Sequence, residues 1–196
     1  SWLDEDPQYT INTKTQFSTV ENARQALMGC YGYMSADNAY GQAWQEVTFG
    51  YCGFGWSQTN GSSTDLLVSM DGGIDETINT MAWRGMYKVI GETNAFIANI
   101  ADSPLESADK LPMEAAARFL RALAYYNLAV TYGDVPLKTT PSAHDGVAVP
   151  RSPKNEVFEL VRTDWEFAYE NLPEKDDDGF ATKWAAKAYL GKLYHT

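Results

Sequence analysis

The sequence predicts an all-α fold, a stack of paired helices interrupted by one long irregular segment. Three observations carry that prediction. Apolar residues recur at helical spacing in five separate stretches. Helix-start and helix-stop residues bracket those stretches. No segment reads as a strand. The 196 residues suit a single domain, residues 1–196, and are enough to bury a real core. A hydrophobic content of 44% separates the chain from disordered sequences.

The elements follow in order. After an extended start, SWLDEDPQYTINTKTQ, Ser18 and Glu21 form a capping-box pattern. Val20, Ala23, Leu27, Cys30, Tyr31 and Met34 then share one helical stripe. From residue 35 to about residue 71 the period fails, and glycine, serine and aromatics take over in YGQAWQEVTFGYCGFGWSQTNGSSTD. So long a connection inside a compact chain is usually functional or locally folded. Helical spacing returns near Ile74, with Trp83, Tyr87, Ile90, Asn94 and Ile97 on one face, until Asp102, Ser103 and Pro104 stop the helix. Core positions are expected for Trp83 and for Trp165, which lies on a later stripe.

The third helix is the densest stretch, ARFLRALAYYNLAVTYGDVPL, and Pro112 is expected in its first turn. On a helical wheel Glu114, Arg118 and Arg121 share a narrow face, which predicts an exposed stripe rather than a ligand clamp. Glu114 four residues before Arg118 is a favourable pair. Gly133 suits a positive-φ exit, and Pro136 prevents a restart. After the loop KTTPSAHDGVAVPRSP, Ser152 and Pro153 begin a helix with the stripe Phe158, Val161, Trp165, Ala168 and Leu172. KDDDG reads as a turn, and ATKWAAKAYLGKLY as a last helix capped by Thr182. Laying residues 118–125 over 187–194 pairs Arg with Lys, Ala with Gly and Tyr with Tyr, at roughly twice the ~34-residue tetratricopeptide period. A helix-turn-helix array of tetratricopeptide-like repeats, an α/α superhelix, follows from that offset. Because the last repeat is unfinished, the chain is expected to be part of something longer.

Charge narrows the function. With 15 basic against 26 acidic residues the net charge is −11, and no basic cluster interrupts it, so nucleic acid and anionic lipid are poor partners. No apolar run approaches the ~20 residues of a spanning helix. The two cysteines, Cys30 and Cys52, form no C-x-x-C and have no histidine nearby, and whether they pair is open. His144 and His195 lack ligand spacing, so neither a metal nor a cofactor is expected. Adjacent acids such as Asp75 and Glu76 do not make an acid/base pair, and DDDG fails as a calcium loop because Lys187 stands at its twelfth position. With no nucleophile elbow, zinc-protease motif or phosphate loop, the chain does not read as an enzyme.

The aromatic and glycine-rich segment is the best candidate site. Sugars offer flat C–H faces for aromatic stacking and hydroxyls for amide and carboxylate partners. Trp44, Tyr51, Phe54 and Trp56 beside Gln58, Asn60 and Asp65 supply both. Trp56 leads, since Gly55 before it and the polar run after it suggest an exposed turn. The alternative is that these rings cover helix ends.

Six blocks carry a resemblance: WLDEDPQ, TVENARQALMGCYGYM, WRGMYKVIGETNAFIANI, EAAARFLRALAYYNLAVTYGDVPL, VPRSPKNEVFELVRTDWEFAYENLP and GFATKWAAKAYLGKLY. In this order the chain resembles the SusD/RagB family of outer-membrane nutrient-binding lipoproteins, and the fourth block is the most specific. The resemblance implies a tetratricopeptide-like scaffold, held by an N-terminal lipid on the outer face of the outer membrane, with Ser1 just past the lipidated cysteine. It implies a non-catalytic protein that binds oligosaccharide or polysaccharide and caps a SusC-like TonB-dependent transporter. Family members are longer, and their second half commonly completes the ligand site. A scaffold that binds peptide or protein on a concave helical surface is the alternative.

Overall fold

Local sequence sets where the helices begin, and long-range packing sets how they lie. The computed structural model describes residues 16–50, 77–141 and 149–196. Within them lie six α-helices: α1 Val20–Ser35, α2 Ala43–Gly50, α3 Thr77–Ala101, α4 Ser107–Tyr132, α5 Lys154–Asn171 and α6 Lys183–Tyr194. The helices of the array pair in sequence order, α3 on α4, α4 on α5 and α5 on α6, while α1 lies across α3 and α4. This is the all-α stack expected from the periodicity.

Several boundaries differ from expectation. The cap of α1 is Thr19, one residue after Ser18, and its hydroxyl accepts the Asn22 N–H at 3.2 Å. Of the α1 stripe, Ala23, Leu27, Cys30 and Met34 are buried, whereas Val20 is exposed. The segment expected to be irregular after residue 35 folds into a π-turn, Asp37–Gly41, and then α2. Ala39, Ala43 and Val47 recur at four-residue spacing and are buried there. The surrounding glycines and polar residues hide that short period. Gly85 of α3 permits the contact, because a Cβ on it would collide with the backbone of Asn38 in the π-turn. Helix α4 starts five residues before Pro112, so the proline sits inside it. There it removes only the bond to the carbonyl of Ala108, an exposed residue near the helix start.

Helix α4 is the centre of the core. Every residue from 119 to 129 is buried, because α3 and α5 flank it and α1 crosses it. Ala115, Ala117, Ala122 and Ala124 are fully enclosed, and their small side chains let the neighbouring helices close in. Trp165 of α5 is 0% exposed, as expected, and its indole N–H donates to the Phe119 carbonyl at 3.3 Å. Its ring packs on Tyr126 of α4 and Tyr189 of α6, with centroids 5.5 and 5.2 Å apart. One tryptophan thus joins three helices.

The arginines of α4 are not the exposed stripe that the wheel predicts. Arg121 is buried and reaches Asp164 of α5 through two parallel bonds, Nε to Oδ2 at 2.8 Å and Nη2 to Oδ1 at 2.9 Å. Asp164 is fully buried. Arg118 makes the expected pair with Glu114 at 2.7 Å, but it also stacks on Phe167, 4.3 Å from the ring centroid. A wheel of one helix cannot show that α5 brings a carboxylate and a ring to this face.

At the other end α1 clamps the turn before α6. Asp176 accepts the backbone N–H groups of Asp178 and Phe180, which makes KDDDG a turn as expected. Arg24 of α1 bonds Asp176 at 3.0 Å and Asp178 at 2.7 Å. Its guanidinium covers the Phe180 ring at 4.7 Å. Burial alone would push the Asp176 carboxyl up, but the bonds from Arg24 and the two backbone N–H groups prevail and hold it below the usual carboxylate range.

Candidate functional site

A groove forms where α3 meets the chain leaving α4, and the sequence explains why both walls are there. On α3, Trp83, Tyr87, Ile90 and Asn94 recur at spacings of four, three and four, which puts them on one face. After α4, Gly133 takes φ +74°, a conformation open to glycine without strain, and turns the chain back toward α3. Val135, fully buried, anchors the return. Val135 then pairs with Ser152, and Pro136 with Arg151, in a two-residue antiparallel ladder of β1 Val135–Pro136 with β2 Arg151–Ser152. So short a ladder has no alternating pattern to betray it, and the sequence did not predict it. The groove has a volume of about 270 Å³, and its walls are Trp83, Tyr87, Ile90, Gly91 and Asn94 opposite Pro136, Lys138 and Val149.

The second wall is bolted down by side chains of the helices. Tyr87 donates its hydroxyl to the Pro136 carbonyl at 2.7 Å. The Tyr125 hydroxyl donates to the Lys138 carbonyl at 2.8 Å and accepts the Lys138 N–H at 2.6 Å. Asn94 donates to the carbonyls of Lys138 and Thr140, at 2.9 and 3.2 Å. Its own carbonyl accepts from Arg121 at 2.8 Å, so the buried Arg121–Asp164 pair holds Asn94, and Asn94 holds the wall. Residues 135–140 have little regular pairing of their own, and these bonds satisfy backbone groups of Pro136, Lys138 and Thr140.

The aromatic floor is rigid. Trp83 packs on Tyr87 at 5.0 Å and edge-on to Tyr132 at 5.1 Å, and Tyr87 meets Tyr125 edge-on at 6.4 Å. Trp83 is therefore half-buried and open to the groove, a correction to the core position expected for it. Burial pushes the Tyr87 phenol well above its ordinary range, with Tyr125 adding to the shift and the positive charge of Arg151 opposing it. Tyr87 stays a neutral hydrogen-bond donor across the physiological range.

Of the residues singled out in the aromatic and glycine-rich segment, Trp44 falls on α2. It is buried there, 7% exposed, with its ring 6.4 Å from that of Tyr40. Tyr40 in turn takes a hydrogen bond on its hydroxyl from Asn127 of α4 at 2.6 Å, which ties this corner to the central helix. Tyr51, Phe54, Trp56, Gln58, Asn60 and Asp65 lie outside the described residues. Cys30 is a buried free thiol, pushed up to about 12 chiefly by desolvation, and Cys52 lies outside the described residues. Among the described residues no helix is long and apolar enough to cross a membrane, and no cluster of three or more His, Cys, Asp or Glu is placed to hold a metal.

Sequence reasoning missed the groove because its second wall is irregular chain. One signal was present: Asn94 stands in an otherwise apolar stripe, and a buried amide in a helix must find partners outside it.

Fold and groove together define a helical-repeat scaffold that presents an aromatic-floored surface recess. The comparisons with known proteins say which scaffold. Residues 1–195 match the model of the family SusD-like_3, described as starch-binding associating with outer membrane, and the chain belongs to this SusD-like family. The SusD-like protein P25 of Formosa agariphila is 24% identical over 98% of this chain, a match that spans 39% of that protein. A solved structure in complex with xylogluco-oligosaccharide superimposes with a TM-score of 0.77 at 26% identity, over 88% of this chain and 34% of its own. A laminarin-binding SusD-like protein gives a TM-score of 0.75 at 25% identity, over 91% of this chain and 40% of its own. The chain thus spans between a third and two-fifths of the length of these relatives.

Proposed function

We propose that this chain is the helical portion of a non-catalytic surface protein that captures oligosaccharide and passes it to a SusC-like TonB-dependent transporter. One observation carries the reading: the match over residues 1–195 to a family described as starch-binding, with two structural relatives that bind xylogluco-oligosaccharide and laminarin. In this reading an N-terminal lipid holds the protein on the outer face of the outer membrane. Capture at that surface needs stacking platforms and hydroxyl partners, not an acid/base pair.

The aromatic and glycine-rich segment supplies the main platform. Tyr51, Phe54 and Trp56 stack on sugar rings, and Asn60 and Asp65 bind their hydroxyls. Trp44, the buried member of the set, fixes the start of the segment to the scaffold through its contact with Tyr40. Loops carried on a rigid frame are where binding groups usually lie. The remaining length of a full protein completes the site.

Calorimetric titration of the purified full protein with a panel of neutral oligosaccharides tests this reading. Saturable heats with at least one glycan are expected. Flat isotherms with every glycan would overturn it and favour a scaffold for peptide or protein.

A further inference from the structure

The groove between α3 and residues 135–138 carries a feature that neutral-glycan capture does not use. The chain is strongly acidic, with a net charge of −11, yet among the described residues the one charged member of the groove wall is Lys138. Its half-buried side chain has no ion-pair or hydrogen-bond partner among the described residues. Arg151 faces the wall residue Pro136 across the ladder, and it too has no partner there. Its charge is felt at the Tyr87 hydroxyl inside the groove. Among the described acids, Glu92 pairs with Lys88 and Asp164 with Arg121, while Asp134 accepts the Lys154 N–H. Among the described residues two cations thus stand without a partner beside an aromatic floor. The indole N–H of Trp83 likewise has no acceptor among the described residues.

We propose that this groove is a subsite for an anionic sugar unit, a uronate or a sugar sulfate, separate from the platform around Trp56. The sugar ring stacks on Trp83, whose indole N–H donates to a hydroxyl, and the acid group takes a charge-assisted bond from Lys138 with Arg151 at the rim. The volume of about 270 Å³ fits one ring-sized unit rather than a chain of them, since pockets for drug-sized ligands run from ~300 to 1,000 Å³. The backbone of the wall needs no rearrangement to receive it, because Tyr87, Tyr125 and Asn94 already hold that wall in place. The proposal rests on the glycan-binding reading and adds a preference for charge to it.

An NMR titration of the full protein with glucuronate, glucose 6-sulfate and glucose tests it. Shifts at the Trp83 indole and at Lys138 are expected with the two anions, and roughly tenfold weaker binding of glucose. Raising the salt weakens the anions alone. Lys138→Gln removes a charge with no partner among the described residues, so the fold is expected to survive while anion affinity falls by roughly the same factor. If the anions bind no more tightly than glucose, or if Lys138→Gln binds them as well as the parent, the subsite is refuted. The same samples titrated with neutral oligosaccharides separate the two readings. Neutral binding without anion preference removes the subsite alone, and no binding of either kind removes both.

Discussion

Helices α4 and α6 carry the same sequence pattern and meet opposite surroundings. Residues 118–125 and 187–194 both place a cation first, a small residue mid-turn and a tyrosine last. In α4 the tyrosine, Tyr125, is fully buried. In α6 the corresponding Tyr194 is 69% exposed, and Ala186 is the buried residue of that helix. The leading cations are alike, Arg118 over the Phe167 ring and Lys187 over those of Tyr169 and Trp184, but Arg121, locked against a buried carboxylate in α4, stands where α6 has Leu190. A repeat unit does not determine its own burial; its neighbours do. Helix α4 has partners on both sides, and α6 is covered on the side facing α5 and touches α4 through the rings of Tyr189 and Phe119, 5.6 Å apart.

The contrast can be broken most severely at Asp164. Asp164→Asn leaves Arg121 buried without a counter-charge, and denaturant unfolding is expected to show a loss of about 3–5 kcal/mol. Because Arg121 also holds Asn94, the loss is expected to extend to residues 135–140, visible as faster amide exchange at Lys138. Tyr125→Phe is expected to cost about 1–3 kcal/mol, since it strands the Lys138 N–H, while the Lys138 carbonyl keeps its bond from Asn94 and the aromatic packing stays in place. The clamp on the turn before α6 is weaker. Arg24→Gln is expected to cost at most about 1 kcal/mol at neutral pH, since the Arg24 side chain is 37% exposed and solvent screens its pairs. Asp176 has its folded pKa depressed, so its contribution is present above the ordinary aspartate range near ~3.9 and fades as the pH falls below it. Parent and variant melting curves are therefore expected to converge in acid. Trp184→Ala in α6, at a side chain 50% exposed, is expected to change stability by no more than about 0.5 kcal/mol despite the size of the residue.

The same contrast shows what the sequence made legible. Helical period, the stops at Pro104 and Gly133 and the Trp165 stripe were readable, because each depends on residues within a few turns, whereas Pro112 did not mark its helix start. The bidentate partner of Arg121 lies 43 residues away, and nothing near Arg121 announces Asp164. The wheel therefore turned a buried ion pair into an exposed stripe. Trp83 was misplaced for a related reason: its stripe is regular, but the wall facing it is irregular chain that leaves a groove. Helix α2 was hidden by composition, since glycine and polar residues around Ala43 and Val47 masked a short apolar period. The identity of the family was legible from the fourth block, whose packing around α4 depends on nearly every residue in it.

The central claim is that a sealed helical frame carries a glycan platform whose leading residue is Trp56. Calorimetric titration of the Trp56→Ala full protein with a neutral oligosaccharide bound by the parent, paired with a melting curve, tests it most directly. Loss of binding with an unchanged melting temperature is the result expected. Undiminished binding would place the platform elsewhere and contradict the account.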